Sequence, residues 1–443
     1  MPRNRMKFRR YSRRNFRAPS RHGEQGVVIM LVAVFMLFVV GAMAALSIDV
    51  VTIYTAKSEA QLAADGAALA GARVLANSGA TTDPTDLLAG GELIAQSVAI
   101  QVGQSSPVGG RNLIAANGEI TVNFVTTVPG DPLITVHVQR TDLPTFFARI
   151  WGNRQISISA TATAEAYNPS NVGGTSATTS PIVEPICVKP WLLPNVSPTV
   201  AGGQIFVPAT GAISDQTLLG WSFTSPSGKA MSLSADCPDA TGCALGPPLP
   251  LPSWNYFPGD DATTFPHPTH SLPSCTPALT TNYQESVAGC IPIALACNAT
   301  ANIDTTPYLG TRNSDTADAV NCLTHATNNK GDVLAPAYPP TEPFEFVAGQ
   351  DNPITGTAGN NVMVSDSLVT VPVFDSTAGV PTQNVQIIGF VQLFLNPDGN
   401  ETPATGLVNT TVINLVGCGS GPRSLTPISG NGDSPVAVRL VTQ

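Results

Sequence analysis

The chain is short of charge. Only 12% of its 443 residues are Asp, Glu, Lys or Arg, about half the usual share for a soluble domain. The catalytic signatures that can be read from sequence are missing too: no G-x-S-x-G, H-E-x-x-H, phosphate-binding G-x-x-x-x-G-K-[ST] or S-x-x-K occurs. No C-x-x-C is present, and the nearest cysteines are six and seven residues apart, which gives zinc little support. The five histidines are scattered. His267 and His270, with Asp260 and Asp261 nearby, read as an exposed Pro-rich loop rather than a metal site. "NPDGNE" (Asn396–Glu401) lacks the glycine and glutamate of a calcium loop and reads as a hairpin turn. No catalytic residue, cofactor or metal is expected.

The charge that is present is unevenly spread. Nine of the 21 basic residues fall in the first 21 positions, and Glu24 is the only acid before Asp49. That leaves 12 basic against 29 acidic residues from Asp49 onward. A nucleic-acid arm is one reading of the basic head, but the segment behind it accounts for the charge, so no nucleic-acid partner is expected. "VVIMLVAVFMLFVVGAMAALSI" (Val27–Ile48) has 22 uncharged residues, ~33 Å of helix and so enough to cross a hydrocarbon core. The positive-inside rule puts the head in the cytoplasm and the body outside. A cleaved leader is the competing reading. "AMA" at Ala42–Ala44 passes for its cleavage site, but the apolar run is longer than a leader's and continues past it.

All eight cysteines lie beyond this segment: Cys187, Cys237, Cys243, Cys275, Cys290, Cys297, Cys322 and Cys418. An even count outside the cytosol argues for disulfides, with connectivity left open. The chain divides into a head (1–26), a transmembrane helix (27–48), an Ala-rich helical extension (49–80), an α+β section (81–168), a linker (169–181) and a Cys-containing β-rich domain (182–443). The α+β section offers a helix at Leu87–Val102, a hairpin of Glu119–Val128 and Leu133–Arg140, a short helix in "DLPTFFARIWG" with Asp142 near its cap, and a strand at Gln155–Tyr167. Further strands are read at Asn361–Phe374, Val385–Leu395, Thr410–Gly417 and Val436–Val441, and residues 230–345 read as cysteine-stapled loops.

A heptad laid on the extension puts Leu46, Asp49, Ile53, Ala56, Ala60, Ala63, Ala67, Ala70 and Val74 on one seam. Its alanines would let another backbone approach closely. Leu62 and Leu69 form a second apolar line. A plain helical stalk is the simpler reading, but Gly66 costs ~1 kcal/mol in a mid-helix position and argues for close packing. The seam packs on the protein's own sheet or on a partner's helix. Asp49 either ends the apolar span in water or sets register against a partner anchor.

The segment Gly23–Leu75 resembles the N-terminal part of TadG-like Flp pilus-assembly proteins. The residues that carry this are Gly23 and Gly26 before the apolar run, Asp49 at its outer end, Tyr54, and "KSEAQLAADGAALAGA" from Lys57 to Ala72. "LPTFF…GNRQISISATATAEA" is similar to the region that follows in that family and in TadE-like relatives. The resemblance implies a bacterial inner-membrane protein with a periplasmic body, partnered by other pilus or secretion-apparatus membrane proteins and by the lipid bilayer. It brings no catalytic residue. Prepilin processing is not implied, because the fifth residue after Gly26 is Leu31 rather than Glu. The integrin-like metal site of some family members is not implied either, because no D-x-S occurs. The expected fold class is α+β: one transmembrane helix extended into an Ala-rich helix, a pilin-like antiparallel sheet section, and a disulfide-stapled β-rich C-terminal domain. The expected function is structural or assembly work in a tight-adherence pilus. An adhesin-like binding module with its ligand site in the C-terminal domain is the alternative, and an envelope hydrolase a third class.

Overall fold

The computed structural model describes residues 22–147, 152, 155–171, 182–220, 232–235, 254–259, 265, 275–304, 311–335, 342–377, 384–418, 428–429 and 432–441. The Arg-rich head before residue 22, Cys237, Cys243 and the His267–His270 loop lie outside these residues. The described fold is α+β. The chain forms two compact units, Met1–Ala56 with Thr141–Ser157, and Lys57–Arg140 with Ile158–Gln443.

Helix α1 (His22–Asn77) runs through 56 residues without a proline. In the first unit every residue from Gly26 to Gly41 is exposed, and the helix is the one described element long and apolar enough to cross a membrane. α1 ends where Gly79 turns with φ +81. A Cβ there would lie 3.0 Å from the Phe344 ring and 3.1 Å from Leu87 Cδ1, so only glycine suits both the backbone and the space.

In the second unit, α2 (Leu88–Ser105) follows, and then a four-stranded sheet. Its order is Ala437–Val441, Gln155–Tyr167, Leu133–Pro144, Ile120–Val125. The expected hairpin is present, with Ile120 opposite Val138 and Val125 opposite Leu133. Period-2 alternation buries Ile134, Val136 and Val138 on one strand and Ala160, Ala162 and Ala164 on the next. The Leu133 strand runs on through Asp142 to Pro144, where the chain passes into the first unit, and its alternation shifts after Arg140 so that Leu143 is the buried residue. Asp142 is therefore a strand residue and not the cap of a helix. Nor do Thr145, Phe146, Phe147 and Gly152 form a helix, and residues 148–151 of the expected one lie outside the described residues. The chain's last strand, Ala437–Val441, pairs antiparallel with Thr163–Tyr167. Residues on both sides of the 169–181 linker thus share one sheet and one compact unit.

The rest of the second unit is built on a closed barrel. Strands Asn384–Leu395, Leu368–Phe374, Trp191–Pro194, Trp254–Pro258, Ser232–Ala235 and Val408–Gly417 follow one another by hydrogen bonding, and the last pairs back onto the first. Closure removes the free edges of the long central strand, which pairs on both sides. Trp191, Leu193, Trp254, Tyr256, Val369, Val371, Val391 and Leu415 share one core with two helices, α3 (Asn282–Ala288) and α4 (Thr311–Leu323). These helices stand where only stapled loops were expected. α3 is nucleated by a capping box, in which the Thr281 hydroxyl accepts from Gln284 N–H and Gln284 Oε1 accepts from Thr281 N–H. The stretch Asn361–Phe374 is two strands rather than one, because Ser365, Asp366 and Ser367 turn between Val362 and Leu368.

Among the described residues, three disulfides staple the barrel domain: Cys187–Cys290, Cys275–Cys322 and Cys297–Cys418, with Cα separations of 4.4, 5.4 and 5.2 Å. They tie loops 103, 47 and 121 residues apart in sequence, which restricts the unfolded chain most where the span is longest.

Candidate functional site

Three built features stand out: the alanine face of α1, a polar joint at its end, and the environment of Asp49. On the alanine face, Ala56, Ala60, Ala63 and Ala67 are buried, while Ile53 and Ala70 are half-buried. The buried surface is broader than the heptad line, because Ala64, Ala68, Gly71 and Ala72 are also covered. Beyond Lys57 the cover comes from the chain itself. α2 presents Gly91, Ala95, Ala99 and Gly103 at four-residue spacing. A Cβ at Gly71 would collide with Ile134 Cδ1 of the sheet and lie 3.4 Å from Ala99 Cβ. A Cβ at Gly103 would lie 3.7 Å from Ala67 Cβ and 3.0 Å from Ile120 Cδ1. Small residues on both helices let the backbones approach, and the sheet closes over them. Leu62 faces solvent at 71% exposure and Leu69 is half-buried, so the second apolar line has no full cover within the chain.

The polar joint begins one turn further on. Asn414 Nδ2 donates to Ala76 O at 2.7 Å and to Gln392 Oε1 at 2.5 Å. Gln392 Nε2 donates to Asn77 Oδ1 at 3.1 Å and to Asp433 O at 2.7 Å. Thr82 Oγ1 donates to Asn414 Oδ1 at 2.9 Å and accepts from Leu415 N–H at 3.1 Å. Asn77, Thr82, Gln392 and Asn414 are all fully buried. Gln392 and Asn414 face each other across two barrel strands, beside a bulge that admits Ile413 as an extra residue. Arg73, on the last turns of α1, pairs with Asp433. A satisfied buried network of this kind gives one fixed geometry between the helix end and the barrel. Sequence reasoning passed over it. The available signal was a Gln and an Asn in the middle of otherwise apolar strands.

Asp49 lies in the first unit. The residue is 3% exposed, and its carboxylate accepts hydrogen bonds from the backbone N–H groups of Phe146, at 2.9 Å, and Phe147, at 3.1 Å. The segment after Pro144 therefore closes over the aspartate.

Elsewhere in the barrel domain, Tyr256, Tyr283 and Thr316 exchange hydroxyl hydrogen bonds at 2.8–2.9 Å, and Trp191 Nε1 donates to Tyr283 at 2.9 Å. This pins α3 and α4 to the barrel strands. A cleft of about 360 Å³ is lined by Arg73, Lys189, Ser365, Asp366, Asp433 and the Cys187–Cys290 disulfide. Lys189 Nζ donates to Gly289 O at 2.8 Å. Burial pushes its amine down to about 7, against the opposing pull of Asp366. Asp366 also bonds His325 Nε2 at 3.1 Å and draws that imidazole's pKa upward.

Within the second unit, the end of α1 is coupled to the rest of the body by packing and a buried joint. Residues 26–74 match the family model Tad, described as putative Flp pilus-assembly TadE/G-like. The match takes in the apolar run, Asp49 and the alanine face, and it supports a role related to Flp/Tad pilus assembly. No curated protein and no solved structure matches the chain.

Proposed function

We propose that this chain is a non-enzymatic structural component of a Flp/Tad-type pilus or secretion apparatus. It is anchored in the bacterial inner membrane by the first half of α1, with its head in the cytoplasm and its body in the periplasm. The supporting observation is that the TadE/G-like match covers one continuous helix. That helix is apolar and exposed at one end, and packed and hydrogen-bonded into its own body at the other. A flexible tether needs no such joint; a helix that holds a body at a fixed register relative to partner subunits does. In this reading the seam from Ala60 to Ala67 serves the coupling from within the chain. Other pilus-apparatus membrane proteins are its partners.

The test is removal of the gene from its native host, with surface pili counted by electron microscopy. Loss of pili with restoration by the wild-type gene is expected. Full piliation in the deletion strain would overturn the reading.

A further inference from the structure

At the end of the apolar run three hydroxyls bond back to the helix's own carbonyls. Ser47 Oγ donates to Ala44 O at 2.7 Å, Thr52 Oγ1 to Ile48 O at 2.9 Å, and Thr55 Oγ1 to Val51 O at 3.0 Å. Such back-bonding gives each hydroxyl's proton a partner within the helix. Asp49, the first charge after Glu24, is withdrawn under the Phe146 and Phe147 amides. Two backbone donors replace the hydration that a carboxylate would otherwise need.

Beside the back-bonded Ser47 and Thr55, this level of the helix presents apolar and aromatic side chains outward. Ile48 is 48% exposed, Val50 51%, Val51 64% and Tyr54 76%. The segment that seals Asp49 adds Phe146, at 61% exposure. The next charge along α1 is Lys57, which is exposed. A water boundary at Ile48 would leave all of these side chains wet while drying the one carboxyl group among them, which inverts the ordinary order of burial.

A boundary further out resolves the inversion. Val27 to Ile48 is ~33 Å of helix and fits the hydrocarbon core alone. Val27 to Tyr54 is ~42 Å, the thickness of a bilayer with its interfacial layers. Tyr54 and Phe146 then fall at the depth where amphipathic and aromatic rings anchor membrane proteins. Residues 141–157 form one compact unit with the first part of α1, as this placement requires.

We propose that the segment at Phe146–Phe147 is a second membrane contact, seated in the interfacial layer of the bilayer beside Tyr54, with Asp49 sealed beneath it. The occupant of this surface is lipid. The proposal rests on the anchor reading of α1, and its test separates the two.

The full chain is reconstituted in phosphatidylcholine–phosphatidylglycerol vesicles whose acyl chains carry bromine at a shallow or a deep position. Tryptophan quenching is read as the change relative to the wild-type chain for L37W, F146W and V364W. Val364 is exposed on the barrel domain and serves as the solvent reference. Quenching of L37W by deep bromine, of F146W most strongly by shallow bromine, and of V364W by neither supports the proposal. Quenched L37W with unquenched F146W overturns it and leaves the anchor standing. Unquenched L37W and F146W together overturn the anchor reading as well. Should F146W fail to reconstitute, benzoylphenylalanine at position 146 decides the same question: a photocrosslink to lipid supports the contact, and a crosslink to a second copy of the chain, or to neither, overturns it.

Discussion

Asn414 Nδ2 lies 2.7 Å from Ala76 O and 2.5 Å from Gln392 Oε1, so one buried amide ties the end of α1 to two strands of the barrel. Asn414 and Ala76 are 338 positions apart in sequence. No apolar side chain could supply that bond, and a buried polar group left without its partner costs ~1–3 kcal/mol.

The joint predicts a non-additive pair. Asn414→Leu strands Gln392 and Ala76 O and should destabilise the second unit by about 2–3 kcal/mol. Gln392→Leu should cost a similar amount. The double substitution should cost less than the two summed, because the orphaned partner goes too. Thermal unfolding of the four proteins in detergent checks this, and strict additivity would refute the network.

Two glycines of α1 predict opposite signs. A Cβ at Gly66 meets nothing nearer than Val102 Cγ1 at 3.9 Å, so Gly66→Ala should gain helix propensity and stabilise by about 1 kcal/mol. A Cβ at Gly71 collides with Ile134 Cδ1, so Gly71→Ala should lower the melting temperature despite the same gain. Equal shifts for both would contradict the tight helix–sheet contact.

Asp131 predicts a pH dependence. Burial first, and the neighbouring Glu165 second, push its carboxyl up to about 6 from the usual 3.8, against Arg439, which pulls it down. The folded state therefore holds the proton more tightly than the unfolded state, and stability falls as pH rises from about 4 to about 6. Asp131→Asn should raise the melting temperature at pH 7–8, and its advantage should shrink toward pH 4. A pH-independent difference would rule out this cause.

Lys189 runs the other way. Its amine titrates near 7 when folded and near 10.5 when unfolded, so the wild type gains stability as pH climbs between those values. Lys189→Met should be most favourable at or below pH 7 and lose its advantage toward pH 10. Melting curves across that range check the trend.

The sequence carried the long apolar helix, the alanine face and most of the long strands, because each is a local pattern of apolar spacing. The Glu119–Arg140 hairpin and Gln155–Tyr167 were legible by alternation alone. What escaped depends on pairing between distant segments. Closure of the barrel rests on strands as short as Ser232–Ala235, which carry too few residues to show a period. The return of Ala437–Val441 to the first sheet crosses the linker, where composition suggested a break. α3 did have a local signal, Thr281 with Gln284, but it was lost among turn residues. At the site, the Asp49 contact could not be read from sequence, since its partners are backbone amides 97 and 98 residues away.

Anchored assembly is tested most directly by piliation in a strain lacking the gene, complemented with the wild-type chain or with a chain whose residues 23–54 are replaced by a cleavable export leader. No pili are expected without the gene, restored pili with the wild type, and no restoration by the released body. Normal pili in the deletion strain, or full rescue by the released body, would contradict it.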